Sequence, residues 1–248
     1  MKQRKLTAII PVRKGSQRVK NKNIKPFCDS NLLELKIEMI KTLDEVDEII
    51  VNSDSDEMLK IAEDYGVKTH KREDYYASSE CTNSEYHEYL GRSTDSEDIL
   101  IAQVTAPLIS KETFEKCIDK YFNDDYDSLM TVQTIKSHLW LNRKPLNYSI
   151  GEAPNSQHLP NIHKLTFGVV LCKRDSIIKR RNMVGYIPYF YELDEKKEEE
   201  AVDIKNNEKN IPQNGIQKTQ QIDSQEKINN NLKDAVKPAP DNIKDFGE

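Results

Sequence analysis

The chain has 248 residues, 37 basic and 42 acidic side chains, a formal net charge of −5 and 36% hydrophobic residues. That length suits one domain, or one domain with an appendage. The mildly acidic balance argues against a general nucleic-acid binder, whose domain carries a basic excess.

Residues 6–10 (LTAII) are continuously apolar and read as a buried strand that breaks at Pro11. The loop that follows carries Arg13, Lys14, Arg18, Lys20, Lys22 and Lys25 around a single glycine, Gly15. In 32–43, Leu33, Ile37 and Ile40 recur at helical spacing with no Pro or Gly between them. Residues 48–52 (EIIVN) read as a second buried strand. Ser53-Asp54-Ser55-Asp56 is an N-cap signal for a helix that runs to Tyr65 and stops at Gly66, and 67–70 reads as a short third strand. This β-α-β-α-β order calls for a parallel sheet with helices on its faces.

Residues 71–81 are polar and read as loop, and 83–90 as a helix. A strand over 98–103 (DILIAQ) ends in a turn at VTAP, and Ser110 N-caps a helix over 111–121. Residues 128–134 read as a strand. The segment 135–163 holds the single tryptophan, Trp140, and has no clear period, so it reads as an excursion from the core, a hairpin or arm. A glycine-containing strand over 164–173, a short helix over 174–181 and an aromatic-rich strand over 186–193 follow. A last short strand over 201–204 comes after the charge run EKKEEE. From Lys205 the composition turns to Asn, Gln, Lys and Asp, and the isolated Ile211, Ile216 and Ile222 build no apolar face. A disordered or loosely helical tail over 205–248 is expected.

The four cysteines, Cys28, Cys81, Cys117 and Cys172, are far apart with no CxxC, so free thiols in a reducing compartment are expected. No apolar run is long enough to cross a bilayer, and the short one near the N-terminus meets charge at once. A soluble, cytoplasmic protein is the expectation.

Three stretches carry candidate chemistry. A buried strand opening into a basic, glycine-containing loop is a natural place for a phosphate chain. Arg and Lys neutralise phosphate oxygens, and amides beside Gly15 and Ser16 can approach them closely. The loop has neither the GxxxxGK[ST] nor the GxGxxG spacing, and a solvated charge cluster is the plain alternative. Gln103 to Pro107 sits at the carboxyl end of a strand, where ligands bind in open α/β sheets, although, taken alone, an ordinary strand-to-helix turn is the better reading. Asp203, beside the acidic run, is a candidate Mg²⁺ ligand against the alternative of a solvated face. His158 and His163 lack the spacing and the carboxylate partner of a zinc site.

Taken in order, IIPVRKGSQRVKNKNIKPF, VNSDSDEMLKIAEDYG, AQVTAPL, TFGVVL and EEEAVDI resemble the acylneuraminate (CMP-sialic acid synthetase) cytidylyltransferase family, relatives of CMP-KDO synthetase, from about Leu6 to Ile204. The resemblance implies a three-layer α/β/α nucleotide-diphospho-sugar transferase fold, Rossmann-like, with a mainly parallel sheet. It implies a cytidylyltransferase domain over 1–204 with a dimerisation arm at 135–163, hence a homodimer. The implied reaction joins CTP and a nine-carbon 2-keto sugar acid, with Mg²⁺ or Mn²⁺, to give a CMP-sugar and pyrophosphate. On the matching positions it makes Arg13 and Lys22 the triphosphate and leaving-group contacts. Gly15, Ser16 and Asn23 shape the CTP pocket, Gln103 faces the sugar, and Asp203 takes the metal.

The chain departs from the family pattern at three places. Ile109 stands where the family's QPTSPLR has an arginine, Thr166 where it has an asparagine, and Lys205 where a second metal carboxylate is expected. A lysine there repels Mg²⁺. The alternatives are therefore a non-catalytic nucleotide-binding or scaffolding homologue, or a nucleotidylyltransferase for another sugar.

Overall fold

The computed structural model describes residues 4–15, 21–27 and 29–193. By contact density the chain separates into Met1–Ala201 and Val202–Glu248, and every described residue belongs to the first unit. The strand expected at 201–204 and the tail at 205–248 lie outside the described residues.

The chain opens with β1 (Leu6–Pro11), the short paired strands β2 (Pro26–Phe27) and β3 (Ser30–Asn31), and α1 (Leu32–Lys41). Then come β4 (Glu48–Ser53), α2 (Asp56–Asp64), β5 (Lys68–Lys71), α3 (Asp74–Ala77), α4 (Asn83–Arg92), β6 (Asp98–Ile101) and α5 (Lys111–Asn123). The remainder is β7 (Ser128–Ile135), the hairpin β8 (Trp140–Leu141) and β9 (Lys144–Pro145), β10 (Ile162–Lys173), α6 (Arg174–Arg180) and β11 (Pro188–Glu192).

The seven long strands form one sheet in the order β11-β7-β10-β6-β1-β4-β5. Every neighbouring pair is parallel except those of β10, which runs antiparallel to both β6 and β7. Side chains alternate between two cores, as strand geometry requires. Leu6, Ala8 and Ile10 of β1, Leu100 of β6 and Leu171 of β10 face one cluster, with Leu33, Ile37 and Ile40 of α1, Met58 of α2 and Phe114 of α5. Ile9, Ile99, Ile101, Val170 and Cys172 face the other, with Leu90 of α4 and Ile177 of α6. Both faces are covered, so the central strands read as unbroken apolar runs, and the fold is a three-layer α/β/α sandwich. Each fully buried Leu or Ile contributes about 1.5–3 kcal/mol, which makes this sheet the rigid frame of the molecule.

Capping chemistry sets the helix starts. Asn31 accepts from Leu33 N and Glu34 N, Thr82 and Glu85 make a reciprocal capping box, and Ser110 accepts from Thr113 N. In the 53–56 cluster the cap is Ser55. On the second face α4 lies close against α6: a Cβ at Gly91 would meet Ile177 Cγ2 and Ile178 Cγ1 at 2.7 Å.

Three sequence expectations change. Residues 71–81 are not all loop, because Asp74–Ala77 forms α3. Four residues are too few to show a period. The strand read as 98–103 ends at Ile101, so Gln103 lies just beyond it. The excursion ends sooner than 163, because β10 already pairs with β7 at Ile162.

Candidate active site

The parallel strands deliver their carboxyl ends to one edge of the sheet. The β1 ladder runs one residue past the strand, with Val12 N donating to Asn52 O at 3.0 Å, and the basic loop begins there. Asn23, buried, donates Nδ2 to Arg13 O at 3.3 Å, and Leu33 N donates to Asn23 O at 3.0 Å. The far end of the loop is thereby tied to its own start and to the first turn of α1. Asn21, at φ 54°, accepts from Ile24 N and Lys25 N. Lys14 N donates to Asp54 Oδ1 at 2.9 Å, and Arg13 Nη1 to Ala77 O at 3.1 Å. Arg13 and Lys14 are exposed and Lys22 is half-buried. Backbone and side-chain bonds hold the loop, and among its described cations Arg13, Lys14 and Lys25 face solvent, where an anion could meet them. Ser16 lies outside the described residues.

Behind the loop is a buried polar cluster centred on Asn52 of β4. Arg72, immediately after β5 and 4% exposed, donates Nε to Asn52 Oδ1 at 2.7 Å and Nη2 to Asn52 O at 2.9 Å. Tyr86 donates its hydroxyl to the same Oδ1 at 3.2 Å, and Asn52 Nδ2 meets His70 Nδ1 at 2.8 Å. The Arg72 guanidinium also lies 4.6 Å from the centre of the Tyr86 ring. Burial lowers the Arg72 pKa from its ordinary value, and burial pushes the His70 pKa down too. His70 and Tyr76 both stack on Tyr89. Sequence reasoning missed this cluster: a lone arginine after a short polar strand carries no periodic signal.

On the other side of β1, the end of β6 leads into Gln103, half-exposed, whose carbonyl accepts from Ala106 N at 3.4 Å. The segment from Thr105 to Ile109 walls a cavity of about 220 Å³, completed by Gln133, Thr166, Gly168 and Leu193. Thr166 Oγ1 lies 2.8 Å from Thr131 Oγ1, which also accepts from Gly168 N at 3.0 Å and Val169 N at 3.1 Å. The irregular stretch of β10 between its ladder pairs at Leu165 and Val170 is held to β7 through the hydroxyl and carbonyl of Thr131. Ile109 is buried, and a Cβ on Gly168 would sit 1.9 Å from Ile109 Cδ1. Gly168 is therefore the residue that makes room for Ile109.

Sequence reasoning also missed Lys36 of α1. It is 3% exposed, donates Nζ to Ala106 O at 3.0 Å, and lies 5.1 Å from the centre of the Phe114 ring. Burial pushes its pKa down to about 8. A signal was present: Lys36 falls at the i+3 position of the apolar stripe Leu33, Ile37, Ile40.

Of the residues singled out from the sequence, Arg13, Gly15, Lys22 and Asn23 leave the end of β1, and Gln103 leaves the end of the adjacent β6. Asp203 and its neighbour Lys205 lie outside the described residues. Among the described residues no group of three or more His, Cys, Asp or Glu side chains converges to hold a metal. No described helix is long and apolar enough to cross a membrane. Cys81, Cys117 and Cys172 are free thiols.

A family model described as "Cytidylyltransferase" matches residues 7–150. A pseudaminic acid cytidylyltransferase of Campylobacter jejuni is 30% identical over 122 residues, 47% of this chain and 53% of that protein. The chain thus spans about half the length of that relative. A post-translational flagellin modification protein B of Campylobacter coli is 24% identical over 201 residues, 75% of this chain and 85% of that protein. Among solved structures, CMP:2-keto-3-deoxy-manno-octonic acid synthetase complexed with CTP superposes with a TM-score of 0.59 at 15% identity. It covers 82% of this chain and 99% of that one, a likeness of fold.

Proposed function

The chain belongs to the cytidylyltransferase family, and we propose that it transfers a cytidylyl group from CTP to a nonulosonic, sialic-type sugar acid. The observation that carries this reading is the pairing on adjacent strands of an exposed, tethered basic loop with a walled cavity beyond Gln103. One takes an anion and the other takes a small polyol. The relative named for pseudaminic acid supports the acid class.

In the reaction, the anomeric hydroxyl oxygen attacks the α-phosphorus of CTP. The new O–P bond forms as the bond from the α-phosphorus to the bridging oxygen breaks, pyrophosphate leaves with that electron pair, and the hydroxyl proton passes to solvent. Such transfer is positioning and charge neutralisation. Arg13 and Lys22 offset the charge that builds on the leaving pyrophosphate. Gly15 and Ser16 present backbone amides to the phosphates. Asn23 keeps the loop closed through its bond to Arg13 O. Gln103 orients the sugar acid. Arg72, beside Arg13, adds fixed positive potential behind the nucleotide.

A divalent cation, Mg²⁺ or Mn²⁺, supplies further charge neutralisation when bound. Asp203 would hold it in this reading. The arm around β8 and β9 leaves Trp140, Leu141, Leu146 and Ile150 exposed, which supports a homodimer joined through it. In sedimentation, Trp140→Glu with Ile150→Glu is expected to convert the dimer to monomer; an unchanged dimer would place the interface elsewhere.

Pyrophosphate release from CTP is the test, with a panel of sialic, legionaminic, pseudaminic and KDO-type acids under Mg²⁺ or Mn²⁺. Release with a nine-carbon acid supports the reading. CTP binding by calorimetry without release from any acid points instead to the non-catalytic homologue that Lys205 beside Asp203 suggests.

A further inference from the structure

We propose that Lys36 is a positioning residue that sets the wall of the acid subsite and links it to the nucleotide loop. This rests on the proposed function for the name of the subsite, and on geometry for the link.

An ammonium group in an apolar core is costly unless a partner compensates it. Lys36 is buried in the stripe by which α1 packs on the sheet, where a leucine or methionine would fill the same space. Among the described residues no carboxylate lies within ion-pair distance of it, and burial alone accounts for its lowered pKa. Its oxygen partner is a backbone carbonyl, Ala106 O. The Gln103–Ser110 turn makes little use of its own hydrogen bonds, the one within it being Ala106 N to Gln103 O at 3.4 Å. Among the described residues Lys36 is the single side chain that hydrogen-bonds Thr105 to Ile109, the part that walls the cavity.

The first turn of α1 gives the link its second attachment. Leu33 N donates to Asn23 O, and Asn23 in turn holds Arg13 O. Lys36 is one turn further along the same helix. The path from Arg13 through Asn23, Leu33 and Lys36 to Ala106 is therefore three hydrogen bonds and one turn of α1 long, and it crosses from the basic loop to the cavity wall through that turn. A change of helix position on nucleotide binding is transmitted to the acid side by that contact.

Lys36→Met removes the donor and keeps the volume. Expected in the full-length chain is a KM for the sugar acid raised about tenfold, the scale of a small misplacement of a positioning wall, with KM for CTP within about twofold. Amide hydrogen exchange is expected to accelerate in 103–109 and to stay unchanged in β1 and α5. Equal rises in both KM values, or acid KM and exchange both unchanged, would overturn the proposal. If Lys36→Met does not fold, Lys36→Gln, which keeps an N–H donor without charge, is judged by the same criteria, with a smaller rise in acid KM expected. Were the wild type to release no pyrophosphate from any acid, the proposed function would fail on its own. The exchange of 103–109 in wild type against variant would still decide whether Lys36 holds the wall.

Discussion

Two cations are buried near the carboxyl ends of this sheet, and they are held differently. Arg72 places two arms of its fork on Asn52, at 2.7 and 2.9 Å, and rests on the Tyr86 ring. Lys36 has one carbonyl at 3.0 Å and the Phe114 ring. Arginine is delocalised and pre-organised for paired acceptors, whereas lysine is a compact, strongly hydrated charge. Arg72 therefore keeps its charge despite burial, and Lys36 titrates at about 8. The basic-loop side of the edge is built on a permanent charge and the cavity side on a conditional one.

The strongest test of that contrast uses an exposed cation as reference. Arg13→Ala is expected to lower kcat/KM by about 10²–10³-fold, the scale of losing one charge-stabilising group, with thermal stability changed by less than about 0.5 kcal/mol. A similar loss of stability and activity would mean Arg13 is structural like Arg72.

Arg72→Lys comes next. A lysine cannot make both bonds to Asn52, and losing one charged hydrogen bond in a buried site costs about 1.5–3 kcal/mol. Chemical denaturation should show that loss, and CTP affinity measured by calorimetry should fall with it.

Lys36 gives the opposite sign. Its pKa is depressed from 10.5 to about 8 in the folded chain. Its contribution to stability is therefore greatest above the unfolded pKa and is lost as pH falls from about 10.5 through about 8. Lys36→Met should remove this slope, and at neutral pH should leave the protein as stable as wild type or more stable by about 1–3 kcal/mol. Denaturation midpoints at pH 7 and 10 compare the two directly. A variant less stable than wild type at pH 7 would show that the Ala106 contact outweighs the cost of burial.

The last test is at Gly168. Gly168→Ala forces Ile109 out of its place, since the new Cβ would lie 1.9 Å from Ile109 Cδ1. Overpacking costs about 1–3 kcal/mol, and the acid KM should rise about threefold to tenfold while CTP binding is unchanged. Ile109→Val in the same chain should recover part of both.

Most of the frame was legible in the sequence because its signals are local. LTAII, EIIVN and DILIA are apolar runs, and Leu33, Ile37 and Ile40 repeat at helical spacing. The parallel pairing of β1, β4 and β5 then follows from the β-α-β pattern, whereas the reversed β10 does not. The basic loop was legible for the same reason: its cations all fall within residues 13–25. What stayed hidden was contact across the chain. Arg72 finds Asn52 from 20 residues away, and Lys36 reaches Ala106 over 70. Gly168 read as a weak point in a strand, and its meaning depends on Ile109. Asp54 read as part of a helix cap, and its carboxylate instead holds Lys14 N.

The lone reversed strand, β10, has a consequence for how this protein can change. Because it returns beside β7, the connection between them need not cross the sheet, and it emerges at the edge where the cavity opens. Residues can be added to or removed from that connection without shifting the register of any other strand, and each doubling of its length costs only about 0.6 kcal/mol of closure entropy. The β8–β9 arm can thus change in length without disturbing the sheet, a place where selection or engineering can alter what stands beside the cavity while the sheet and the basic loop stay as they are.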